Sequence, residues 1–222
     1  HKTEAFAALA TALMGDGVAI TVAPNIDAEV PFHIINVTTK AGAQSVITPR
    51  VFVDAGQSAR VTVIESHVSL GVEKYLALPV TEIRAAQNAV VDHYRLQDES
   101  LHSFHVSQTD IEQARDSHVR THVFSFGGQL VRNNVNVRML GSNCNAVLNG
   151  LSLLAGKQHV DNSTSIHHVE PSSESREHFK GIYADESRWV FSGTITVAQI
   201  AQKTNAFQSN QALLLSPNAS IE

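Results

Sequence analysis

Through most of this chain apolar and polar residues follow the two-residue period of a strand, in short bursts. Val18-Ala19-Ile20-Thr21-Val22, Phe32-His33-Ile34-Ile35-Asn36-Val37 and Arg50-Val51-Phe52-Val53 are rich in β-branched residues and bounded by Pro, Asn or Gly. Each predicts a strand. Only the start differs. From Glu4 to Met14, Phe6, Leu9 and Leu13 recur at helical spacing among alanines, and Gly15-Asp16-Gly17 ends the stretch. That predicts one short helix.

The spacing of the bursts says more than any one of them. Six segments centre on Val61, Val90, Val119, Val147, Glu177 and Phe207, at steps of 29, 29, 28, 30 and 30 residues. Polar stretches such as Gly56-Gln57-Ser58, Arg115-Asp116 and Ser172-Ser173 precede most of them. A second series runs between, near Leu76, Phe104, Val135, Ser165 and Thr194, at steps of 28, 31, 30 and 29. Two strands per turn of about 29 residues is the pattern of a β-solenoid, each turn stacked on the last. A β-sandwich with evenly spaced strands is the competing reading of spacing alone.

Composition favours strands. Val, Ile and Thr number 25, 13 and 14 against 16 Leu, and branching at Cβ suits a pleated sheet better than a helix. Twelve Gly and six Pro are few for a protein of tight hairpins. The expected cause is that solenoid corners need fewer left-handed turns. A net charge of −5 gives no support for nucleic-acid binding, and no apolar run approaches the ~18 residues of a membrane span. The expectation is a soluble, intracellular protein with neither a nucleic-acid nor a membrane partner. Cys144 is the single cysteine, which excludes an internal disulfide and any multi-cysteine metal site within one chain.

Candidate chemistry rests on twelve histidines. In a 29-residue register His93 and His122 coincide, three residues after Val90 and Val119. Stacked turns would place them about 4.8 Å apart, close enough to share a metal; two solvated outer histidines are the competing reading. His159, His167, His168 and His178 lie among Asp161, Glu170 and Glu174. This segment reads as a solvated loop or strand end, with an Asp/His site as the alternative. His167 and His168, being adjacent, must face opposite ways on a strand. Cys144 sits in a turn with no base beside it and reads as a small corner residue. The outline leaves two classes: a β-solenoid carbohydrate-active enzyme, or a solenoid scaffold that docks other proteins. A sugar-cleaving cleft calls for paired carboxylates and exposed aromatics. Aromatics are 6% of the chain, and the two strand series align no carboxylate pair, so the scaffold is preferred.

Particular strings then resemble the SufB/SufD family of the SUF iron–sulfur cluster assembly system, its SufD branch above all. They are Gly127-Gly128-Gln129-Leu130-Val131-Arg132-Asn133, Leu148-Asn149-Gly150-Leu151, Asp161-Asn162-Ser163-Thr164-Ser165-Ile166-His167-His168 and Ser175-Arg176-Glu177-His178-Phe179-Lys180-Gly181. Val190-Phe191-Ser192-Gly193, Gln202-Lys203-Thr204-Asn205-Ala206-Phe207-Gln208-Ser209-Asn210 and Leu213-Leu214-Leu215-Ser216 follow. The resemblance implies a right-handed parallel β-helix and a non-catalytic scaffold working with a SufB-like paralogue and a SufC-like ATPase. A transient iron–sulfur cluster would belong to the full complex. It also implies a Cys-x-His pair beyond Glu222. Residues 1–222 are therefore expected to be a single β-helix core cut from a longer chain, without its helical ends, able to form a homodimer but carrying no cofactor. No catalytic or cofactor residue is expected within them; His93, His122 and His168 are the candidate metal ligands, of which His168 matches a family histidine in position.

Overall fold

The computed structural model describes residues 5–39 and 45–222. A helix at Ala5–Ala12 answers the predicted one; Glu4 lies outside the described residues. Its contact with the rest is narrower than the spacing suggested. Ala10 is buried with Leu78, Val80 and Val106, while Phe6, Leu9 and Leu13 remain exposed. The alanine surface lets the helix lie close to the sheet, and the larger side chains project past it.

Everything else is parallel sheet. One sheet holds ten strands. Its main path runs Gly17–Val22, Arg50–Ala55, Val80–Ala85, Phe104–Gln113, Leu130–Met139, His159–His168, Arg188–Val197 and Ser220–Ile221, with Val46–Ile47 and Leu76–Ala77 joined beside it. The other sheet holds seven: Phe32–Thr38, Arg60–Ser69, Val90–Asp98, His118–Ser125, Asn145–Leu154, Glu174–Tyr183 and Asn205–Leu214. Strands alternate between the sheets and pair one turn later, so the chain is a parallel β-solenoid, not a sandwich of antiparallel strands. The expected turn length holds on average, but the registers differ in detail. Leu76 pairs with Phe104, and Ser165 with Thr194, as the spacing implied. Val135 pairs instead with Thr109 and Thr164, and Val61 with Val91.

Because the side-chain period is two, each strand sends alternate residues into the space between the sheets; Arg60–Ser69 is buried at every second position from Val61 through His67. In-register pairing turns those residues into columns. Ile20, Val53, Ile83, Ile111, Val137, Ile166 and Ile195 form one, each opposite the next. Aromatic residues fill the later turns. Gly150 stands directly before Phe179 in its column, and a methyl group on Gly150 would lie 2.2 Å from Phe179 Cδ1. The Leu-Asn-Gly-Leu string therefore provides space for a ring that packs 4.8 Å from Phe191.

The corners overturn one expectation. They do use the left-handed backbone, but at Asn25, Ser58, Asn88, Asp116, Asn143, Ser172, Asp185 and Lys203 as well as Gly128 and Gly156. Asn and Asp tolerate that conformation because their short side chains bond locally. The corners also bond to each other: Ser58, Asn88 and Asp116 each donate a backbone N–H to the next turn, and Asn88 Nδ2 donates to Ser58 Oγ at 3.0 Å. Just inside them Ala59, Ala89, Ser117, Cys144 and Ser173 are all buried, and their carbonyls accept the backbone N–H of Val90, His118, Asn145, Glu174 and Asn205 in the next turn. Cys144 Sγ donates to Gly141 O at 3.1 Å, as Ser117 Oγ does to Ala114 O at 2.6 Å. Burial pushes the thiol up, more than these bonds pull it down.

Two outcomes follow for stability. Gly150→Ala should destabilise by about 1–3 kcal/mol through overpacking, and Phe179→Leu in the same chain should recover part of that, read as non-additivity in urea denaturation. Cys144→Ser should stay within about 1 kcal/mol of the parent. The native thiol should react with Ellman's reagent far more slowly than the unfolded one.

Candidate functional site

The most unusual chemistry lies inside the solenoid. Glu65 and Arg95 are opposite each other on neighbouring strands, and both point inward. Arg95 is wholly buried and Glu65 nearly so. Glu65 Oε1 accepts from Thr81 Oγ1 at 2.7 Å and sits 2.7 Å from His93 Nε2 and 3.5 Å from Arg95 Nη2. Arg95 Nη2 also donates to Thr81 at 2.7 Å, and His93 Nδ1 bonds Thr121 Oγ1 at 2.8 Å. Burial alone would raise the Glu65 carboxyl, but the Arg95 charge and the two histidines hold it well below the usual carboxylate range.

Two residues further along the same strand, His67 extends the network toward a corner. Its Nε2 lies 3.6 Å from Glu65 Oε2, and its ring meets His105 edge-on at 5.1 Å. His105 Nδ1 is 2.6 Å from Glu99 Oε2, to which Gln97 Nε2 donates at 3.2 Å. Tyr75 Oη donates to Glu99 Oε1 at 3.1 Å and meets half-buried Ser69 Oγ at 2.5 Å. Burial raises Glu99, but the charges of His105 and His67 and the bonds it accepts outweigh that and bring it to about 2. His67 is lowered by burial, against the pull of Glu65.

The corner that covers Glu99 explains another string. A methyl group on Gly127 would lie 2.1 Å from Glu99 O, and Gly128 adopts φ +80 with Gln97 Nε2 3.2 Å from where its Cβ would be. Gly127-Gly128 lets this turn press directly onto the Glu99 backbone. It is a packing device, not a phosphate cradle.

The predicted ligands are not brought together. His93 pairs with Thr121, and His122 with Tyr94. The turn between them is one residue shorter than the assumed 29, and a one-residue slip sends the two side chains to opposite faces. His93 is in the network. His122 is half-buried outside, stacked on Tyr94 at 4.7 Å and 3.2 Å from Asn149 Nδ2. His168 faces inward from the other sheet, fully buried, with Nε2 3.0 Å from Ser175 Oγ. The polar segment around it is no loop: His159–His168 and Glu174–Tyr183 are complete strands, and His167 points outward as adjacency required.

Glu65, His67, Arg95, Glu99 and His105 escaped the sequence reading because polar residues on a strand read as the outer face. The available signal was Glu65/His67 facing Arg95/Gln97, two residues apart in each strand and 30 apart between strands.

Glu177 provides an internal contrast. It is buried near Thr164, and neither carboxylate oxygen has a hydrogen-bond partner. Burial raises its pKa, more than Thr164 lowers it. Between its ordinary value and the raised one the folded state binds more protons than the unfolded, so its contribution to stability falls as pH rises through that window. Glu177→Gln should therefore gain stability relative to the parent as pH is raised from 4 to 8, measured by urea denaturation at each pH; a difference independent of pH would contradict the assignment.

Comparison with known proteins places this architecture. Residues 36–222 match the SUF system FeS cluster assembly SufBD core domain. Over 98% of its length the chain is 31% identical to an iron-sulfur cluster assembly SufBD family protein of Synechocystis sp., covering 50% of that protein. Over 86% of its length it is 30% identical to the iron-sulfur cluster assembly protein SufD of Escherichia coli, covering 46% of it. With the chloroplastic protein ABCI7 of Arabidopsis thaliana it shares 34% identity over 79% of the chain and 38% of the relative. The chain thus spans about half the length of the first two relatives. The matched stretch takes in both sheets from Asn36 onward, with the whole polar interior, and the chain belongs to the SufBD core domain family of the SUF system.

Proposed function

We propose that this chain is the SufD-like scaffold core of a cytoplasmic SUF assembly complex. It would act with a SufB-like paralogue and a SufC-like ATPase and catalyse no reaction itself. The observation that carries the reading is that the matched stretch and the solenoid coincide: every strand from Arg50–Ala55 to Ser220–Ile221 lies within it. A stack of paired strands around a filled interior is suited to holding partners at fixed positions. In this reading the iron–sulfur cluster is cargo, held by groups elsewhere in the complex, and the single thiol, buried at a corner, is not one of them.

The carbohydrate-enzyme alternative needs one correction. Glu82 and Asp110 are in register on neighbouring strands, so an outward carboxylate pair does exist, in a polar groove with Glu112 and Arg138. The expected 28-residue step from Leu76 to Phe104 already implies this pairing, and the sequence reading overlooked it. Each carboxylate is engaged: Glu82 with Arg50 at 3.0 Å, Asp110 with Gln108 and Asn136, and Glu112 with Arg138 at 2.8 Å. No aromatic side chain lines the groove among the described residues. That arrangement favours the scaffold.

Anaerobic incubation with ferrous iron and sulfide, followed by desalting, should leave this chain without a stable cluster chromophore. Co-expression with a SufB-like paralogue should yield a complex by gel filtration. A stoichiometric cluster on the chain alone, or failure to associate with the paralogue, would contradict the proposal.

A further inference from the structure

His67, Glu99 and His105 converge from three strands or corners. Each offers one donor atom such that all three lie within 4.8 Å of one another. The residues are 2%, 6% and 0% exposed. Two imidazoles and one carboxylate are a ligand set that first-row divalent metals favour over magnesium or calcium. The geometry points to a divalent transition-metal site at this corner of the solenoid, closed around the ion by His67, Glu99 and His105.

Two further observations support it. His105 Nε2 has no hydrogen-bond partner and His67 Nε2 comes only within 3.6 Å of Glu65 Oε2, although both rings are buried, and a buried ring nitrogen without a hydrogen bond is costly unless something fills its place. Glu99 is already oriented by Tyr75 and Gln97, the outer shell that fixes a metal-binding carboxylate. Donors within 4.8 Å need only side-chain rotation to reach bonds of about 2.0–2.2 Å. The corner formed by Ser69, Tyr75 and Glu99 gives the access route, since Ser69 is half-buried and Leu101 and His102 beside it are exposed.

The inference rests on this ligand set and holds whether or not the chain serves in cluster assembly. It is tested on the whole chain with Co2+ and Zn2+, without sulfide. Equilibrium dialysis should show one equivalent of Zn2+ bound, and Co2+ should give the visible absorption of a low-coordinate site with nitrogen and oxygen ligands. Tyr75→Phe keeps the ring that packs at the corner and should weaken Zn2+ binding about 10–100-fold, the usual effect of losing an outer-shell partner. His105→Gln should weaken it further, and His122→Ala, on the outer face, should leave it unchanged. Should His105→Gln fail to fold, imidazole 15N resonances of the parent decide: added Zn2+ must shift those of His67 and His105. Absence of stoichiometric uptake, uptake indifferent to Tyr75→Phe, or shifts confined to outward histidines such as His122 and His167 would overturn the site.

Discussion

Among the described residues every strand but the last of each sheet bonds to the strand one turn later, in register and in the same direction, and the rest of the structure follows from that pairing. A side chain that points inward must share its column with the residues before and after it. Ile20, Val53, Ile83, Ile111, Val137, Ile166 and Ile195 satisfy the requirement with near-identical shapes. Where the column changes character the neighbours change with it, as Gly150 does before Phe179. The backbone leaves few degrees of freedom, so the variety of the interior is a matter of which residues stack.

That constraint makes the buried charges costly. Taking Glu65 and Arg95 out of water loses several kcal/mol of solvation for each ion, and the pair restores it only with well-placed bonds. Glu65 has such bonds from Thr81 and His93. Arg95 is satisfied only in part: its Nη2 donates to Thr81, while Nε and Nη1 have no partner in the structure. An aliphatic column of the Ile83 kind would fill the same space at lower cost. Removing one member alone would leave an uncompensated charge and cost about 3–5 kcal/mol. The network is therefore hard to lose one residue at a time and is a poor device for stability, which is why its chemistry is the place to look for function.

Much of the fold was legible because the repeat is written in spacing. Branched residues at every second position gave the strands, and polar clusters gave the corners. The turn length of about 29 followed from counting. The face presented by each strand was harder to read. A mean step of 29 superimposes His93 and His122, but their turn has its own length of 28. The two corners on either side of Phe104–Gln113, between Asp98 and His118, set that length, and the alternation within the strands does not reveal it. The interior polar residues were missed for a related reason. On a strand, Glu-x-His or His-x-Arg is normally the wet side, and only the register of neighbouring turns shows that Glu65, His67, His93 and Arg95 face inward. The Gly127-Gly128 string was visible as a motif, but its reason, contact with the Glu99 backbone, needs coordinates.

The unequal turns have a consequence for how such a chain can change over generations. Val61 to Val91 takes thirty residues and Val91 to Val119 twenty-eight, yet both pairs occupy one column. Length is absorbed at the corners, where Asn, Asp and Ser hold the reversal without glycine. A codon gained or lost there leaves every column intact. The same event inside a strand would turn its buried half outward. Corners are thus the permitted sites of insertion and deletion, and relatives can drift in length turn by turn while preserving the same interior.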